Sequence, residues 1–375
     1  MNLLHVAPIS KNLTSGLTNS VFNLAEAQSR NKNKVGIISS KKSDNFFSKK
    51  IKFIQVGENG LLNLIFFFSV NKLLNYFDDP DVIIFHDIYN LRQVVLMFKF
   101  AYKRKKIFIT PRGAFSEVAL NRSYLKKRLF LTFFLFPILK KIYGFIALNK
   151  NEKKQIKKII NDKKIIILSN GINDNRKIYE KLKSNYHAKQ RNRFLNLGYL
   201  GRFDIHIKGL DILLEALITF QLKYKSKQII LTLIGDHVEK NEFSSKRYIE
   251  LIRSKLLYPE NLIVKGPYYS EKKWEELSKI DLLIQPSRTE GMPNSVLEAM
   301  SIAIPSCVTE FTNMGEIIRN ANNGWVVELS SDSILHFFNE LIGFSKKEIL
   351  AKGLNGMKYA QKHLLWDSVC ISDYN

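Results

Sequence analysis

Short apolar runs alternate with amphipathic stretches along this chain, and the series is played twice. The pattern predicts strands over 2–6, 35–39, 82–85, 106–110, 144–148 and 164–168, and again over 195–200, 228–234, 261–264, 282–285, 304–308 and 324–328. Between them lie helical stretches such as 17–30, 209–220, 272–279 and 295–301. This alternation is the signature of βαβ units and a parallel sheet. Two series predict an α/β chain of two doubly wound domains in tandem, and 375 residues suffice for two cores. The polar segment 173–193 follows the turn pair Asn170-Gly171 and reads as a linker. The expected organisation is a first domain over 1–172, the linker 173–193, a second domain over 194–358, and a last helix over 359–375.

Other classes fall quickly. Hydrophobic residues make up 45% of the chain and phenylalanine alone numbers 26, which excludes a disordered polypeptide. Cys307 and Cys370 are the only cysteines, too few for a disulfide framework or a cysteine zinc site. No n-region and h-region precede the first strand, so no signal peptide is expected. The longest apolar runs, 129–139 and 61–70, fall short of the ~20 residues of a spanning helix. The expectation is a cytoplasmic protein, soluble or peripheral.

The formal charge of +24 is unevenly spread. Residues 1–172 carry 30 basic and 10 acidic side chains, and residues 173–375 carry 28 and 24. Between Lys99 and Lys150 stand 13 basic residues and one acid, Glu117. Lys103, Arg104, Lys105, Lys106, Arg112, Lys126, Lys127 and Arg128 are interleaved there with aromatic and aliphatic residues. Such segments read as binders of an anionic membrane surface, or as a solvated basic face over a buried helix.

Ligands of open parallel sheets sit beyond the carboxyl ends of the strands. That edge collects His86 and Asp87, Arg112 and Gly113, Asn170 and Gly171, Arg202, Gly235 and Asp236, and Ser287 to Glu290. Two such edges facing across a cleft would make one site between domains. The richest stretch runs from Gln285 to Met300. Glu290 and Glu298 lie eight apart, and Gly291 permits a tight turn into a helix beginning near Asn294. The backbone N–H groups of Gly291, Met292 and Asn294 would form a positive helix N-terminus suited to phosphate. Glu298, farther along, can accept hydrogen bonds from a ribose diol. A second stretch, Gly198 to Gly209, sends Arg202 and Lys208 out together on a glycine-rich loop, a planar fork and a point charge suited to a diphosphate.

In these motifs the chain resembles the retaining nucleotide-sugar glycosyltransferases of family 4, which have the GT-B architecture of two Rossmann-like domains facing a central cleft. The second half carries the resemblance nearly end to end, in Gly201-Arg202, Lys208-Gly209, Gly235-Asp236, Pro286-Ser287, Glu290-Gly291, Glu298-Ala299, Glu316 and Asn323-Gly324. The first half matches at Gly16, His86, the turn Thr110 to Gly113, and Ser169 to Gly171. Trp366 fits the point where the chain of this family crosses back to the first domain. The resemblance implies that Arg202 and Lys208 bind the donor diphosphate, that Glu298 binds the ribose, and that Glu290 with the amides after it holds the sugar. Gly16 would let a first-domain loop approach the phosphates, and His86 would sit near the anomeric carbon. It further implies a metal-independent front-face displacement without a cofactor, in which the leaving phosphate deprotonates the acceptor hydroxyl. Catalysis is then positioning plus stabilisation of the departing charge.

The sequence departs from the family at four points. The first loop offers one glycine, Gly16, where two are usual; Thr312-Asn313 replace a glycine pair; Ala303 stands where glycine is common; and Arg112 stands where many relatives have histidine. Asp79-Pro80-Asp81 matches a metal-binding Asp-x-Asp, yet it precedes its strand and so reads as a surface turn. No Gly-x-Gly-x-x-Gly follows a strand, which disfavours a dinucleotide oxidoreductase. The expectation is a hexosyltransferase at the inner face of the plasma membrane, extending a lipid-linked (polyprenyl-diphosphate) glycan for a capsule or O-antigen. A soluble acceptor is the alternative within the fold. A basic nucleic-acid-binding protein would also explain the charge, but no recognisable nucleic-acid module is present.

Overall fold

A computed structural model describes residues 1–9, 16–39, 50–55, 79–121, 124–190, 193–226, 228–240, 243–370 and 374. The apolar run 61–70 lies outside the described residues. The chain divides into two compact units, Met1–Gly171 with Trp366–Asn375, and Ile172–Leu365.

The first unit is built on strands β1 (Asn2–Val6), β2 (Lys34–Ser39), β3 (Ile51–Gln55), β4 (Val82–His86), β5 (Lys106–Thr110), β6 (Gly144–Ala147) and β7 (Lys164–Ile167). Their order in the sheet is β3-β2-β1-β4-β5-β6-β7, and every pairing is parallel. Alternate residues of one strand enter opposite cores, as the two-residue period of a strand demands. Ile83 and Phe85 of β4 pack with Phe100, Ile109 and Phe145, whereas Val82 and Ile84 pack with Val21, Phe22 and Ala25 of the helix Gly16–Arg30. Both faces are covered, so the sheet has no polar side and its strands read as near-continuous apolar runs. The sequence pattern missed β3. It is an edge strand written Ile-Lys-Phe-Ile-Gln, and its Lys52 is exposed, so it lacks the run of apolar residues that marks the inner strands.

The second unit repeats the plan with β8 (Leu195–Leu200), β9 (Ile229–Ile234), β12 (Leu262–Lys265), β13 (Leu282–Gln285), β14 (Ser306–Thr309) and β15 (Gly324–Val327), ordered β12-β9-β8-β13-β14-β15. A short antiparallel ribbon of β10 (Glu239–Lys240) and β11 (Phe243–Ser244) stands beside it. In each sheet the strand order reverses once, between β1 and β4 and between β8 and β13. The crevice at such a reversal is where doubly wound sheets bind ligands.

Two boundaries differ from the sequence expectation. The stretch expected as a linker forms the helices Arg176–Lys181 and Lys183–Gln190 of the second unit. Asp174, Arg176, Lys177, Glu180, Lys181 and Lys183 face water, while Tyr179 and Tyr186 are buried with ring centroids 5.1 Å apart, and the Tyr186 hydroxyl donates to the Ile302 carbonyl. Two tyrosines among many lysines anchor the segment, and composition alone hid them. The single helix expected over 359–375 is instead the end of Lys346–His363, which opens on a Ser345/Glu348 capping box, followed by the separate helix Trp366–Val369. The latter belongs to the first unit. Trp366 lies so close over Gly171 that a Cβ there would come within 2.7 Å of the indole, and Arg30 pairs with Asp367 at 2.8 Å.

The basic stretch between Lys99 and Lys150 is not one surface. Lys103 to Lys105 precede β5 and Lys106 opens it, at the amino edge of the sheet, where Lys105 pairs with Asp79 at 2.6 Å. Asp81 accepts the Asn2 amide at 2.8 Å on the same edge, so Asp79-Pro80-Asp81 is a turn remote from the carboxyl ends. Arg112 lies at the opposite edge, after β5. Lys126, Lys127 and Arg128 lie on the helix Tyr124–Phe130, which continues through a π-turn, Leu131–Leu135, into Phe136–Leu139. Leu131, Leu135, Ile138 and Leu139 of this run enter the core. Leu125 (73% exposed), Leu129, Phe133 (66%), Phe134 and Phe136 face outward. Among the described residues no helix is long and apolar enough to cross a membrane.

Candidate active site

At the reversal in the second sheet, the loops after β8 and β13 bring most of the sequence-selected residues to one edge. Gly201 and Arg202 follow β8, and Tyr199, fully buried beneath them, donates its hydroxyl to the Arg202 carbonyl at 2.9 Å. The Arg202 side chain is exposed. Lys208 ends the same loop, and Gly209 turns into the helix Leu210–Tyr224 with φ +66. A Cβ at Gly209 would fall 1.9 Å from the Pro286 carbonyl oxygen, so only glycine lets the two loops approach this closely.

Lys208 Nζ meets Glu290 Oε1 at 2.6 Å. The same carboxylate oxygen accepts the Ser287 hydroxyl at 2.9 Å and Gln285 Nε2 at 3.3 Å. All donors therefore converge on Oε1, and among the described residues none reaches Oε2. Glu290 is held from behind as well, because Asn313 Nδ2 donates to its carbonyl at 2.6 Å. Asn313 sits at φ 59, in the left-handed region that asparagine tolerates better than most residues, which is how this chain manages without the glycine pair usual there. Likewise Ala303, standing where glycine is common, occupies φ 59.

Gly291, Met292 and Asn294 lead into the helix Asn294–Ser301, one turn into which stands Glu298. Lys273 Nζ lies 2.8 Å from Glu298 Oε1, and again no described residue donates to the second oxygen. Two carboxylates are thus oriented by lysines, and the second oxygen of each takes no donor among the described residues. Gly235 and Asp236 follow β9 beside this edge, and the Asp236 carbonyl accepts the Phe203 amide at 2.8 Å. The negative charge of Asp236 and burial together raise the Tyr269 hydroxyl above its ordinary pKa.

Sequence reasoning placed Arg288 on this edge but missed its partner Asp211, and it missed Lys273. Arg288 grips Asp211 through two bonds of 2.6 and 2.8 Å and the His206 carbonyl at 2.5 Å, which ties the Glu290 loop to the Lys208 loop. A bidentate pair of this kind fixes geometry as well as charge. Lys273 lies in the first turn of the helix Ser270–Ser278, and its only sequence signal was a basic residue shortly beyond a strand end. The arrangement offers two cations, Arg202 and Lys208, for a diphosphate and two carboxylates for hydroxyls.

In the first unit, Gly16 opens the helix after β1. His86 is the last residue of β4 rather than the first of a loop, and its ring is buried, 1% exposed. Both of its nitrogens are engaged, Nε2 with His5 Nδ1 at 2.9 Å and Nδ1 with the Arg112 guanidinium at 3.2 Å. His5, on β1, went unremarked in the sequence because a single histidine in an apolar strand carries no pattern. Among the described residues no group of three potential metal ligands occurs.

Comparison with known proteins agrees with this geometry. Residues 14–176 match the family model described as Glycosyltransferase Family 4, and residues 180–343 match Glycosyl transferases group 1. The capsular polysaccharide biosynthesis glycosyltransferase CapM of Staphylococcus aureus is 24% identical over 282 residues, 66% of this chain and 69% of that protein. Among solved structures, sucrose-phosphate synthase from Thermosynechococcus elongatus superposes with a TM-score of 0.78 at 15% identity, covering 99% of this chain and 97% of that one. WaaG, a glycosyltransferase involved in lipopolysaccharide biosynthesis, gives 0.72 at 17% identity, covering 98% and 97%. Anabaena HepE in complex with UDP-glucose gives 0.73 at 15%, covering 98% and 96%. The chain therefore joins a region matching the Glycosyltransferase Family 4 model to one matching Glycosyl transferases group 1, on a two-Rossmann fold of the GT-B type.

Proposed function

We propose that the protein transfers a hexose-type sugar, with retention, from a nucleotide-diphosphate sugar to a lipid-linked glycan in the assembly of a cell-surface polysaccharide. The observation that carries this reading is the pairing at the second sheet's edge of two cations with two carboxylates, each carboxylate keeping one oxygen open. Glu298 Oε2 would accept from the ribose diol and Glu290 Oε2 from a sugar hydroxyl, while Arg202 and Lys208 face the diphosphate. In the reaction the acceptor oxygen bonds to the anomeric carbon as the bond from that carbon to the phosphate oxygen breaks. The acceptor proton passes to the departing phosphate, whose new charge Arg202 and Lys208 stabilise. Arg202 and Lys208 would supply charge that a divalent ion supplies elsewhere, so EDTA is expected to leave turnover unchanged.

Support for a membrane-bound acceptor comes from the first unit. Leu125, Leu129, Phe133, Phe134 and Phe136 form an exposed apolar face on a helical run that also carries Lys126 and Arg128. Apolar anchors beside bases suit the anionic inner face of the plasma membrane, each base adding roughly 1 kcal/mol near such a surface. CapM and WaaG, named for capsular polysaccharide and lipopolysaccharide biosynthesis, favour the same class of product. The test is a screen of UDP-, GDP- and other nucleotide sugars for transfer, combined with sedimentation on anionic vesicles at low salt. One donor is expected to turn over and the protein to pellet with vesicles. Absence of transfer from every nucleotide sugar would sink the donor assignment, and absence of pelleting would leave a soluble acceptor.

A further inference from the structure

At the strand-order reversal of the first sheet, His5 on β1 and His86 on β4 sit side by side, their rings stacked with centroids 5.2 Å apart. The surrounding hydrogen bonds fix where each proton resides. An arginine can only donate, so His86 Nδ1, 3.2 Å from Arg112 Nη2 and 3.4 Å from Nε, must accept. A neutral His86 then carries its proton on Nε2 and donates to His5 Nδ1 at 2.9 Å. His5 in turn carries its proton on Nε2 and donates to Gln28 Oε1 at 2.7 Å, and Gln28 Nε2 donates to the Tyr374 hydroxyl at 2.9 Å. Every link runs one way, from the guanidinium inward. Burial, the Arg112 charge and the neighbouring ring hold both imidazoles neutral, His5 down at about 4 and His86 well below its ordinary 6.5.

The outer end of this chain is unusual. Arg112 stands at φ 53 at the carboxyl end of β5, and its contacts are all neutral: His86 Nδ1 and, at 3.4 Å, Asn170 Oδ1. The nearby acids act on it only through space and bond elsewhere, Glu152 to the Gly113 and Leu148 amides at 2.5 and 2.6 Å and Asp87 to the Ile88 amide at 2.7 Å. Desolvation lowers the guanidinium to about 10, which still leaves it cationic at neutral pH. Glu152 and Asp87 offset part of the cost of burying this charge through space, but among the described residues no carboxylate bonds the guanidinium directly, which leaves that place to an anion. Two of its five N–H groups reach no described residue.

We propose that Arg112 is the anion-binding group of the first unit, a fork for a diphosphate, and that His86 and His5 are positioning residues whose ordered protons aim it. The inference rests on the glycosyltransfer reading only for the origin of the diphosphate, from nucleotide or from lipid carrier. It assigns His86 a part behind the reacting atoms, because neither ring nitrogen is open to substrate.

The test uses the full-length protein with nitrogen-15 in histidine and arginine, and none of its readouts needs turnover. The imidazole resonances at pH 7 are expected to report two neutral rings, both protonated on Nε2. A ring protonated on Nδ1, or a cationic one, overturns the relay. Inorganic pyrophosphate is expected to shift the Arg112 Nε resonance, and no shift overturns the anion site. UDP and farnesyl diphosphate are then compared: a shift with UDP names the donor as the source, a shift with farnesyl diphosphate names the acceptor, and a shift with neither refutes the proposal. His86→Asn keeps an acceptor where Nδ1 stood, whereas His86→Gln keeps only a group reaching toward His5. Pyrophosphate affinity is expected to stay within about threefold in the first and to fall about tenfold or more in the second, the loss expected for a hydrogen bond to a charged group. Equal losses in both overturn the positioning role.

Discussion

Lys208→Ala is expected to lower kcat/KM for sugar transfer by about 10²- to 10³-fold, the usual effect of removing one donor aimed at developing transition-state charge. Lys208 Nζ sits 2.6 Å from Glu290 Oε1, with the lysine and glutamate side chains only 19% and 14% exposed. In that partly dry setting a fixed cation acts more strongly on a departing diphosphate than it would in water. The lysine also orients Glu290, so its loss touches both the leaving group and the sugar. The fold is expected to survive, because Glu290 Oε1 keeps the Ser287 hydroxyl and Gln285 amide and because Arg288 still clamps Asp211. Melting within a few degrees of wild type, together with the kinetic loss, separates chemistry from collapse. Lys208→Arg keeps the charge without the point geometry and is expected to recover part of the rate. Arg202→Ala and Glu298→Ala are expected to lose most activity as well, the latter chiefly through KM because the ribose contact proposed for it would be remote from the reacting carbon. Near-wild-type kcat/KM in the Lys208 and Arg202 variants would remove the site from this edge.

The residues on that edge were legible in the sequence for one reason: a parallel sheet presents its ligands at strand ends, so strand boundaries sort polar residues into near and far. That rule separated Glu290, Arg202 and Asp236 from the decoy Asp79-Pro80-Asp81. It was applied less strictly to the basic stretch, where Lys103 to Lys106 stand at the start of β5 and Arg112 follows its end, so one composition cluster lies at two opposite edges. Partners distant in sequence were beyond reach. Lys273 and Glu298, Arg288 and Asp211, and His5 and His86 meet only through strand order, and charge pairs have no periodicity to announce them. Departures from the family's glycines became intelligible only with dihedral angles in hand, since Asn313 and Ala303 occupy the very conformation that glycine would. Local pattern fixes elements; side-chain commitments are set by the packing of elements far apart in the chain.

Gly235→Ala is expected to be among the most damaging single-methyl substitutions in the second unit, and Gly266→Ala one of the mildest. Gly235 follows β9 at φ +155, a region that side chains with a Cβ avoid, and a Cβ there would lie 1.9 Å from the Gly201 carbonyl oxygen. That oxygen belongs to the residue immediately before Arg202, and the two strand ends are bonded to each other through the Gly201 amide and Ile234 carbonyl at 3.0 Å. The backbone on both sides is committed, since Gly235 donates its own amide to Lys265 at 3.2 Å. Relief must therefore come from parting the loops that carry Arg202 and Asp236. Dihedral strain of about 1–3 kcal/mol and overpacking of similar size are each expected. Their sum is a large fraction of a typical domain's stability of about 5–15 kcal/mol. At roughly 2–4 °C per kcal/mol for a unit of this size, the variant is expected to melt on the order of 10 °C lower. What folds is expected to bind nucleotide diphosphate weakly. Gly266, beyond the end of the neighbouring strand β12, has nothing within 4 Å of the same added methyl, and its alanine variant is expected within about 0.5 kcal/mol of wild type. Calorimetric melting of the two proteins side by side is the check. A Gly235→Ala protein that melts and binds like the Gly266→Ala control would mean that the close approach of the two loops is not what holds Arg202 at the diphosphate edge.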